Sequence, residues 1–420
     1  MLDIKFIREN PKLVEEKAKQ KGYSVDVKKL LEVDEKRRKL IEEIDKLRSE
    51  RNKRSELASP NLPANLKKGG ETIRAQGKKI KEELKAKEDE LEKLQEEFYT
   101  LIRQIPNLAK DDVPIGKDES ANKIIKQVGK KTNFAFKPKD HIQLAISSDL
   151  IDVERASKVS GPRFGYLKKE LVSLEFALVN FALDTLDKEE FLKVIPPAII
   201  NRKAAEGLGY PEYERGEGYK VDDHYLVGTA EHSIVPMHMD EVFEKSDLPR
   251  HYAAFSTSFR REAGSYGKDT KGIFRVHQFD KVEMVSFVKT EDDDKEHKFL
   301  LSLQEKLFHS LQIPYQVVQM CSIDLGFPVS AKYDIEAWIP SEQKYREVTS
   351  ASTTTDFQAR RLNIKYYEGS QTVFVHILNA TAFAIGRTII AIMENYQQKD
   401  GSIIVPKVLQ KYTNFTKIPA

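Results

Sequence analysis

The sequence of 420 residues predicts an α+β fold, in which an antiparallel coiled-coil hairpin precedes a mostly antiparallel sheet flanked by helices. Heptad-spaced apolar residues occur twice in the first quarter of the chain, on either side of a segment rich in proline and glycine. Short strand-like runs cluster beyond residue 190 and do not alternate regularly with helices, which favours an antiparallel sheet. Charged residues make up 32% of the chain, as is typical of long solvated helices.

Composition excludes several classes of protein. Hydrophobic residues account for 40% of the chain, enough for a sizeable core. Mean hydropathy is −0.53 and no apolar run is long enough for a membrane span, so none is predicted. Cys321 is the single cysteine, which excludes a disulfide within the chain and a cysteine-rich zinc site, and we expect no zinc. The opening MLDIKFIREN lacks the apolar core of a signal peptide, and we therefore expect a cytoplasmic location.

Two heptad seams predict the N-terminal hairpin. The stronger seam runs through residues 73–105, and a matching seam runs through residues 30–57. Between them lie Pro60, Pro63 and the pair Gly69-Gly70, which cannot continue a helix. Pro106 ends the second helix. We therefore predict a helical arm over residues 1–106.

Positive charge is concentrated at the outer end of this arm. Residues 51–80 contain only two acidic side chains and eight basic ones: Arg51, Lys53, Arg54, Lys67, Lys68, Arg74, Lys78 and Lys79. A positive end suits the phosphates of a nucleic acid, because basic side chains release the counterions bound to a polyanion. The alternative is an ordinary solvated coiled-coil surface.

Beyond the arm we predict a linker and the start of the body at 107–160 and the main body at 161–420. Helices are expected at residues 167–186 and 385–397. Strands are expected at residues 191–200, 251–261, 275–287, 315–320, 333–339 and 372–378.

The signatures of common nucleotide-binding and hydrolytic sites are missing from the sequence. It contains no G-x-x-x-x-G-K-S/T, no G-x-G-x-x-G after a strand, no H-E-x-x-H and no G-x-S-x-G. The most informative stretch is instead 259–283. Strand alternation would place Arg260 with Glu262 on one face. On the return strand it would place on one face Arg275, His277, Phe279, Lys281 and Glu283. Such groups can bind phosphates, a flat base and hydrogen-bond donors, although an exposed sheet face with cross-strand ion pairs is the alternative.

Three further features carry weaker predictions. Glu347 and Ser350 could offer a carboxylate and a hydroxyl to Mg²⁺. Arg387 lies in an apolar helix start, where either a core carboxylate or a ligand could pair with it. The acidic run at 291–294 is expected to be a solvated helix start or loop.

Together these motifs resemble the seryl-tRNA synthetases of the bacterial type, which are class II aminoacyl-tRNA synthetases. The resemblance covers nearly the whole chain. The motifs that carry it are MLDIKFIRENP, VIPPAII, GTAEHS, FRREAGSYGKDTKGIFRVHQFDKVE, YDIEAWIP, YREVTSAS, FQARRLNIKY and GRTIIAIMENYQQKDGSIIVPKVL.

The resemblance implies a serine–tRNA ligase. Such an enzyme activates L-serine with ATP and Mg²⁺ to seryl-adenylate, then transfers serine to the 3′-terminal adenosine of tRNA(Ser), with tRNA(Sec) as a second candidate. It also implies a homodimer formed through VIPPAII, and an arm that binds the tRNA.

The resemblance also implies roles for individual residues. The catalytic residues would be Arg260, Arg275 and Arg387. The ATP site would comprise Arg260, Arg261, Glu262, Val276, Phe279, Glu347, Val348, Thr349, Ser350 and Arg387, with Glu347 and Ser350 holding Mg²⁺. The serine site would comprise Thr229, Ala230, Glu231, Arg260, Glu283, Asn379 and Thr381. The tRNA would contact the eight basic residues of the arm, and the loop at 264–270 would close over ATP or meet the acceptor stem.

Two other interpretations stay open from the sequence. A related enzyme could activate an amino acid and charge a carrier protein, although such relatives usually lack a tRNA-binding arm. A coiled-coil adaptor could carry an inactive body. Against such decay argues the presence of five site residues: Arg260, Glu262, Glu283, Glu347 and Arg387.

Overall fold

The fold was determined as a computed structural model that describes residues 1–57, 70–210, 218–262 and 272–420, without the side chains of 55–57 and 70–76. The described residues form two compact units, Leu2–Pro106 and Asn107–Ala420, and Met1 belongs with the second. The predicted α+β fold class is confirmed, because helices dominate the first unit and a large, mostly antiparallel sheet dominates the second. The predicted three-part division of the chain stays a prediction.

The first unit is a helical hairpin preceded by two short helices. Its helices are α1 (Ile4–Glu9), α2 (Pro11–Gln20), α3 (Val27–Leu57) and α4 (Gly70–Arg103). Buried apolar side chains form the seam between α3 and α4, among them Leu40, Ile44, Ile80, Leu84 and Phe98.

Ion pairs between α3 and α4 show that the two helices are antiparallel. Lys29 pairs with Glu97, at 3.1 Å, near the start of α3, and Arg48 pairs with Glu88, at 2.8 Å, further along α3. The residue nearer the start of α3 therefore pairs with the residue nearer the end of α4. Arg37, a charged residue at a seam position, places its guanidinium 4.4 Å from the centre of the Phe98 ring, so it packs on the seam and does not break it. The coiled coil is confirmed.

The second unit contains short and long strands. In chain order they are β1 (Lys123–Val128), β2 (Ile151–Asp152), β3 (Tyr166–Leu167), β4 (Leu192–Val194), β5 (Ile199–Asn201), β6 (Lys220–Val221), β7 (His224–Leu226), β8 (Val242–Phe243), β9 (Arg250–Phe259), β10 (Gln278–Val288), β11 (Tyr315–Gln319), β12 (Ala331–Ile339), β13 (Lys344–Thr353), β14 (Lys365–Glu368), β15 (Gln371–Phe374), β16 (His376–Ala384), β17 (Ile403–Ile404) and β18 (Lys417–Ile418).

Among the described residues, the helices of this unit are mostly short, and three of them are longer than ten residues. In chain order they are α5 (His141–Ser148), α6 (Val153–Ser160), α7 (Glu170–Asp187), α8 (Arg202–Leu208), α9 (Glu231–Ile234), α10 (Asp293–Ser310), α11 (Phe357–Leu362) and α12 (Ile385–Tyr396). Among the described residues, none of the helices combines the length and apolar character needed to cross a membrane.

Eight strands form the main sheet, in the order β1-β11-β12-β13-β16-β10-β9-β4. All neighbours are antiparallel except β4, which pairs parallel to β9. Successive residues of a strand point to opposite faces, and apolar clusters cover both faces. Met284 of β10 belongs to a cluster with α7, α10 and α12, whereas Val285 belongs to a cluster with α8 and α11.

Several predicted strand limits were wrong. The strand predicted at 191–200 is two strands in different sheets, β4 and β5, because Pro196 and Pro197 between them have no N–H groups to donate to a ladder. The strand predicted at 372–378 is likewise divided between β15 and β16. The strand predicted at 251–261 ends at Phe259, and the one predicted at 275–287 begins at Gln278.

The expectation that residues 291–294 are solvated was wrong for Asp293. This residue begins α10 and is buried, and its carboxylate accepts hydrogen bonds from Lys110, Thr353 and His376. Lys110 and His376 lie far from Asp293 in sequence, so the run of acidic residues did not reveal that the charge of Asp293 is compensated.

Strands β13 and β16 pair over only a short part of their length. They pair only from Ala351 to Thr353, against Leu378 to Ala380. At the point of separation the fully buried Gln304 of α10 donates from Nε2 to the carbonyl oxygens of Ser350 and Thr381, at 2.8 Å each. Gln304 thus connects the two strands just where their own ladder stops.

Replacement of this amide should therefore destabilise the protein. We expect Gln304→Leu to lower the free energy of unfolding by about 2 kcal/mol, because two buried carbonyl groups lose their donor. Urea unfolding of the full chain, followed by circular dichroism, measures the change. Gln371→Leu, at an exposed position of β15, is the control. Equal stability of the two variants would contradict the role given to Gln304.

Candidate active site

A polar cavity of about 570 Å³ lies where β13 and β16 separate, next to the ends of β9 and β10 and the start of α12. It gathers predicted site residues from distant parts of the sequence. The predicted residues that line it are Thr229, Glu231, Arg260, Arg261, Glu262, Arg275, Val276, Phe279, Glu283, Glu347, Val348, Thr349, Ser350, Asn379, Thr381 and Arg387. Ala230 is fully buried and lies outside this lining.

One end of the cavity carries a buried carboxylate held by two donors. Glu283 is 2% exposed, and its Oε2 accepts a hydrogen bond of 3.0 Å from Thr381 Oγ1. The same oxygen lies 2.5 Å from Nζ of Lys281, which is also buried and also lines the cavity. Burial lowers the pKa of Lys281, and the carboxylates of Glu283 and Glu231 oppose that shift. Nδ2 of Asn379 lies at this end without a partner among the described residues, so it can donate to a ligand.

A second buried carboxylate, Glu231, lies at the same end. Tyr210 donates to it from its hydroxyl at 3.0 Å, and Gln358 donates from Nε2 at 2.9 Å. Burial raises the pKa of Glu231 to about 7, and the nearby charge of Glu283 adds to the shift. Two carboxylates beside donors and a hydroxyl can bind a small molecule that carries an ammonium group and a hydroxyl.

Guanidinium groups line the rest of the cavity. Arg260 donates from Nε to the carbonyl oxygen of Gly228 at 3.1 Å, and its guanidinium lies 5.4 Å from the centre of the Phe279 ring. Arg275 forms an ion pair of 3.1 Å with Glu262. Arginines fixed in this way present further N–H groups to phosphate or carboxylate oxygens.

Arg387 and Glu347 form an ion pair on the other side of the cavity. Arg387 Nη1 lies 3.2 Å from Glu347 Oε2 and also donates to the Glu347 carbonyl oxygen at 3.2 Å. Burial alone would raise the pKa of Glu347, but Arg387, Lys332 and Arg260 outweigh it and lower this pKa to about 2. Glu347 is therefore ionised at neutral pH. Among the described residues, no group of three or more histidine, cysteine or acidic side chains is placed to hold a metal by itself.

The local explanation that the sequence suggested for this site was partly wrong. Arg260 and Glu262 lie beyond the end of β9, and Glu262 has a positive φ of 53°, so strand alternation does not apply to them. Arg275 precedes β10. The alternation holds for Phe279, Lys281 and Glu283, which all line the cavity.

Several lining or supporting residues were missed by the sequence analysis. Lys332 is a half-buried cation that lines the cavity, while Tyr210 and Gln358 support Glu231. Lys281, which the sequence placed on the same strand face as Glu283 but to which it gave no role, also lines the cavity. Tyr210 and Gln358 are distant in sequence from Glu231, so no local pattern could have identified them.

The predicted tRNA-binding residues are only partly within the described chain. Arg51, Lys53, Lys78 and Lys79 are exposed on α3 and α4, and Arg54 is half-buried. Lys67, Lys68, the side chain of Arg74 and the loop at 264–270 lie outside the described residues.

The chain is similar to known proteins over its whole length. The profile of the seryl-tRNA synthetase N-terminal domain matches residues 1–109, and that of the tRNA synthetase class II core domain (G, H, P, S and T) matches residues 217–396. The serine–tRNA ligase of Dictyoglomus thermophilum is 45% identical over 425 aligned residues, which cover 100% of this chain and 99% of the relative.

Two solved structures have the same fold. The seryl-tRNA synthetase of Pyrococcus horikoshii complexed with ATP superposes with a TM-score of 0.92 at 41% identity, covering 100% of both chains. The cytoplasmic serine–tRNA ligase of Naegleria fowleri in complex with AMP gives a TM-score of 0.87 at 32% identity, covering 100% of this chain and 99% of that one.

The raised pKa of Glu231 predicts a dependence of stability on pH. A carboxyl group whose pKa rises on folding, here from 4.5 to about 7, stabilises the fold fully below pH 4.5. That stabilisation is lost as the pH rises through about 7. Glu231→Gln has no such titration. We expect its free energy of unfolding to rise relative to wild type by about 2 kcal/mol between about pH 5 and about pH 8.

Urea unfolding across this pH range measures the difference. Glu154→Gln, at an exposed position in the first turn of α6, is the control and should follow wild type at every pH. A constant difference between Glu231→Gln and wild type would show that Glu231 titrates normally.

Proposed function

The chain belongs to the seryl-tRNA synthetase family of class II ligases, and from this membership we propose how its cavity works. The resemblance inferred from the sequence motifs is thereby confirmed. We propose that the cavity activates L-serine with ATP to seryl-adenylate, and that serine then passes to the 3′-terminal adenosine of tRNA(Ser), with tRNA(Sec) as a second candidate. The observation that carries this proposal is the proximity of two buried carboxylates and a threonine hydroxyl to three arginines in one cavity.

Activation needs positioning and charge neutralisation. An oxygen of the serine carboxylate attacks the α-phosphorus, a new O–P bond forms, and the bond from that phosphorus to the bridging oxygen breaks as pyrophosphate leaves. A carboxylate is already a nucleophile, so no general base has to remove a proton. Arg260 would bind the α-phosphate and the serine carboxylate, while Arg275 and Arg387 would bind the outer phosphates.

The adenine of ATP would lie on Phe279. Its amino group would donate to Glu262, the carboxylate that is paired with Arg275. Arg261, Val276, Val348 and Thr349 would complete the ATP site, since all four line the same cavity.

The serine end would use the two buried carboxylates for different groups. Glu231 and Thr229 would receive the ammonium group, and Glu283 with Thr381 would pair with the hydroxyl, beside Asn379 and the backbone at Ala230. A site built to bind a hydroxyl rejects an analogue that lacks it, because a buried polar group is then left unpaired.

Glu347 and Ser350 would hold Mg²⁺ with ATP. The residues present suit this ion, because Glu347 keeps its charge at neutral pH and both side chains line the cavity. Mg²⁺ commonly takes only one or two protein ligands and completes its shell with phosphates and water, so a larger acidic cluster is unnecessary. When bound, it would neutralise charge on the phosphates. We propose no zinc.

The arm would bind the tRNA through its basic outer end, by phosphate contacts of Arg51, Lys53, Arg54, Lys67, Lys68, Arg74, Lys78 and Lys79. We propose a cytoplasmic homodimer. Exposed apolar side chains near the VIPPAII segment support the dimer, among them Phe176 of α7, Leu192 of β4, and Ile195 between β4 and β5. Such a patch is typical of a surface that another chain covers.

Arg260→Ala tests the activation step. We expect serine-dependent ATP–pyrophosphate exchange to fall about 1000-fold, because the charge developing on the α-phosphate loses the donor that we assign to it. Arg202→Ala, at an exposed position of α8, is the matched control and should keep wild-type exchange. Exchange by Arg260→Ala above about a tenth of the control rate would contradict the role of Arg260.

The role of the arm in binding tRNA can be tested separately from the activation of serine. We expect replacement of Lys67, Lys68, Lys78 and Lys79 by glutamine to raise the KM for tRNA(Ser) while serine-dependent exchange stays unchanged. The slope of log affinity against log salt should fall by about one for each lost phosphate contact.

A matched variant removes the same number of charges nearer the middle of α4. In it, Lys81, Lys85, Lys87 and Lys93 become glutamine, and the KM for tRNA should stay close to wild type. The same KM in both variants would refute a specific role for the basic end.

A further inference from the structure

Lys281 is a buried cation at the end of the cavity that we propose binds another cation, the ammonium group of serine. It lies on β10 two residues before Glu283, on the same face of the sheet, and it is 5% exposed. Its Nζ lies 2.5 Å from Glu283 Oε2 and 3.4 Å from Thr381 Oγ1. The phosphates and the carboxylate are already assigned to Arg260, Arg275 and Arg387, so these roles do not call for an ammonium group at this end of the cavity.

The contacts of Lys281 determine which oxygen of Glu283 is left for a ligand. Oε2 receives both the Lys281 ammonium and the Thr381 hydroxyl. Within the part of the chain that the structure describes, Oε1 has no such bond. One carboxylate oxygen beside a lysine ammonium therefore remains to meet the substrate side chain.

Lys281 also sets the charge of this end of the cavity. A bound ammonium group favours the ionised form of Glu231. In the complex, Glu231 and Glu283 therefore bring two negative charges, and Lys281 compensates one of them. A single negative charge then remains, which matches the single ammonium group of an amino acid with a neutral side chain. A second cation here would lie in a buried site beside the Lys281 ammonium, where like charges repel strongly.

We propose that Lys281 is a specificity-determining residue that makes the pocket accept a hydroxyl and reject an ammonium group on the β-carbon of the substrate. This inference rests on the proposed activation of serine. The hydroxyl donates to Glu283 without adding charge, whereas an amine in its place meets a carboxylate that is already neutralised. Without Lys281, Glu283 would be a buried carboxylate with no counter-ion, which a second ammonium could compensate.

The test compares L-serine with L-2,3-diaminopropionate, which has an amine where serine has its hydroxyl. ATP–pyrophosphate exchange gives the KM for serine and the inhibition constant of the diamine, at one mildly acidic pH that keeps both of its amines protonated. For wild type we expect the diamine to bind at least about 100-fold more weakly than serine. For Lys281→Met we expect this preference to fall about tenfold or more, through weaker binding of serine and tighter binding of the diamine.

Two further variants separate charge from structure. Lys281→Arg keeps the positive charge and should retain the preference. Lys332→Met removes another ammonium of the same cavity, one that is half-buried and lies 3.2 Å from Asp334, and should leave the preference unchanged.

Tight binding of the diamine to wild type would overturn the proposal without any variant. An unchanged preference in Lys281→Met, or an equal loss in Lys332→Met, would also overturn it. Absence of serine-dependent exchange in wild type would instead refute the proposed function, so the two failures are distinguishable.

Discussion

Compensation of buried charge is the constraint on which this structure depends. In the described part of the chain, six cationic and five acidic side chains line one cavity. Burial of an ionised group without a partner costs several kcal/mol, so pairing stabilises the least exposed of these charges. Lys281 is paired with Glu283, Arg275 with Glu262, and Arg387 with Glu347. Each pair fixes two side chains that a polar ligand can then use.

These ion pairs lie around a break in the regular pairing of the sheet. Strands β13 and β16 pair over three residues and then separate, and Gln304 satisfies the carbonyl groups that this separation leaves. Ser350 and Thr381, at the point of separation, belong to the two sides of the cavity that we assign to Mg²⁺–ATP and to serine. A continuous ladder would have left no space between them. The separation of the two strands opens the cavity, and the Gln304 amide stabilises the backbone at the point where they separate.

The sequence predicted more of the site than of the fold that builds it. The two long helices followed from the heptad spacing, and the fold class followed from that spacing together with the clustered strand-like runs. Motif resemblance named half of the described residues that line the cavity. The strand alternation used to explain their placement was less accurate, because Arg260 and Glu262 lie beyond the end of β9. Strand β13 was overlooked, since its Ser/Thr-rich sequence resembles a turn. Tyr210, Gln358 and Asp293 depend on partners far away in sequence, which periodicity cannot reveal.

The most direct test of the account is aminoacylation of total tRNA by the wild-type chain with serine, threonine and alanine in parallel. A pocket in which Glu283 and Thr381 receive one small hydroxyl predicts that serine is charged. It also predicts that alanine, which lacks the hydroxyl, is charged at least about 100-fold less efficiently, and that threonine, which has an extra methyl group, is charged poorly. Comparable charging with alanine, or none with serine, would contradict the assignment of this cavity.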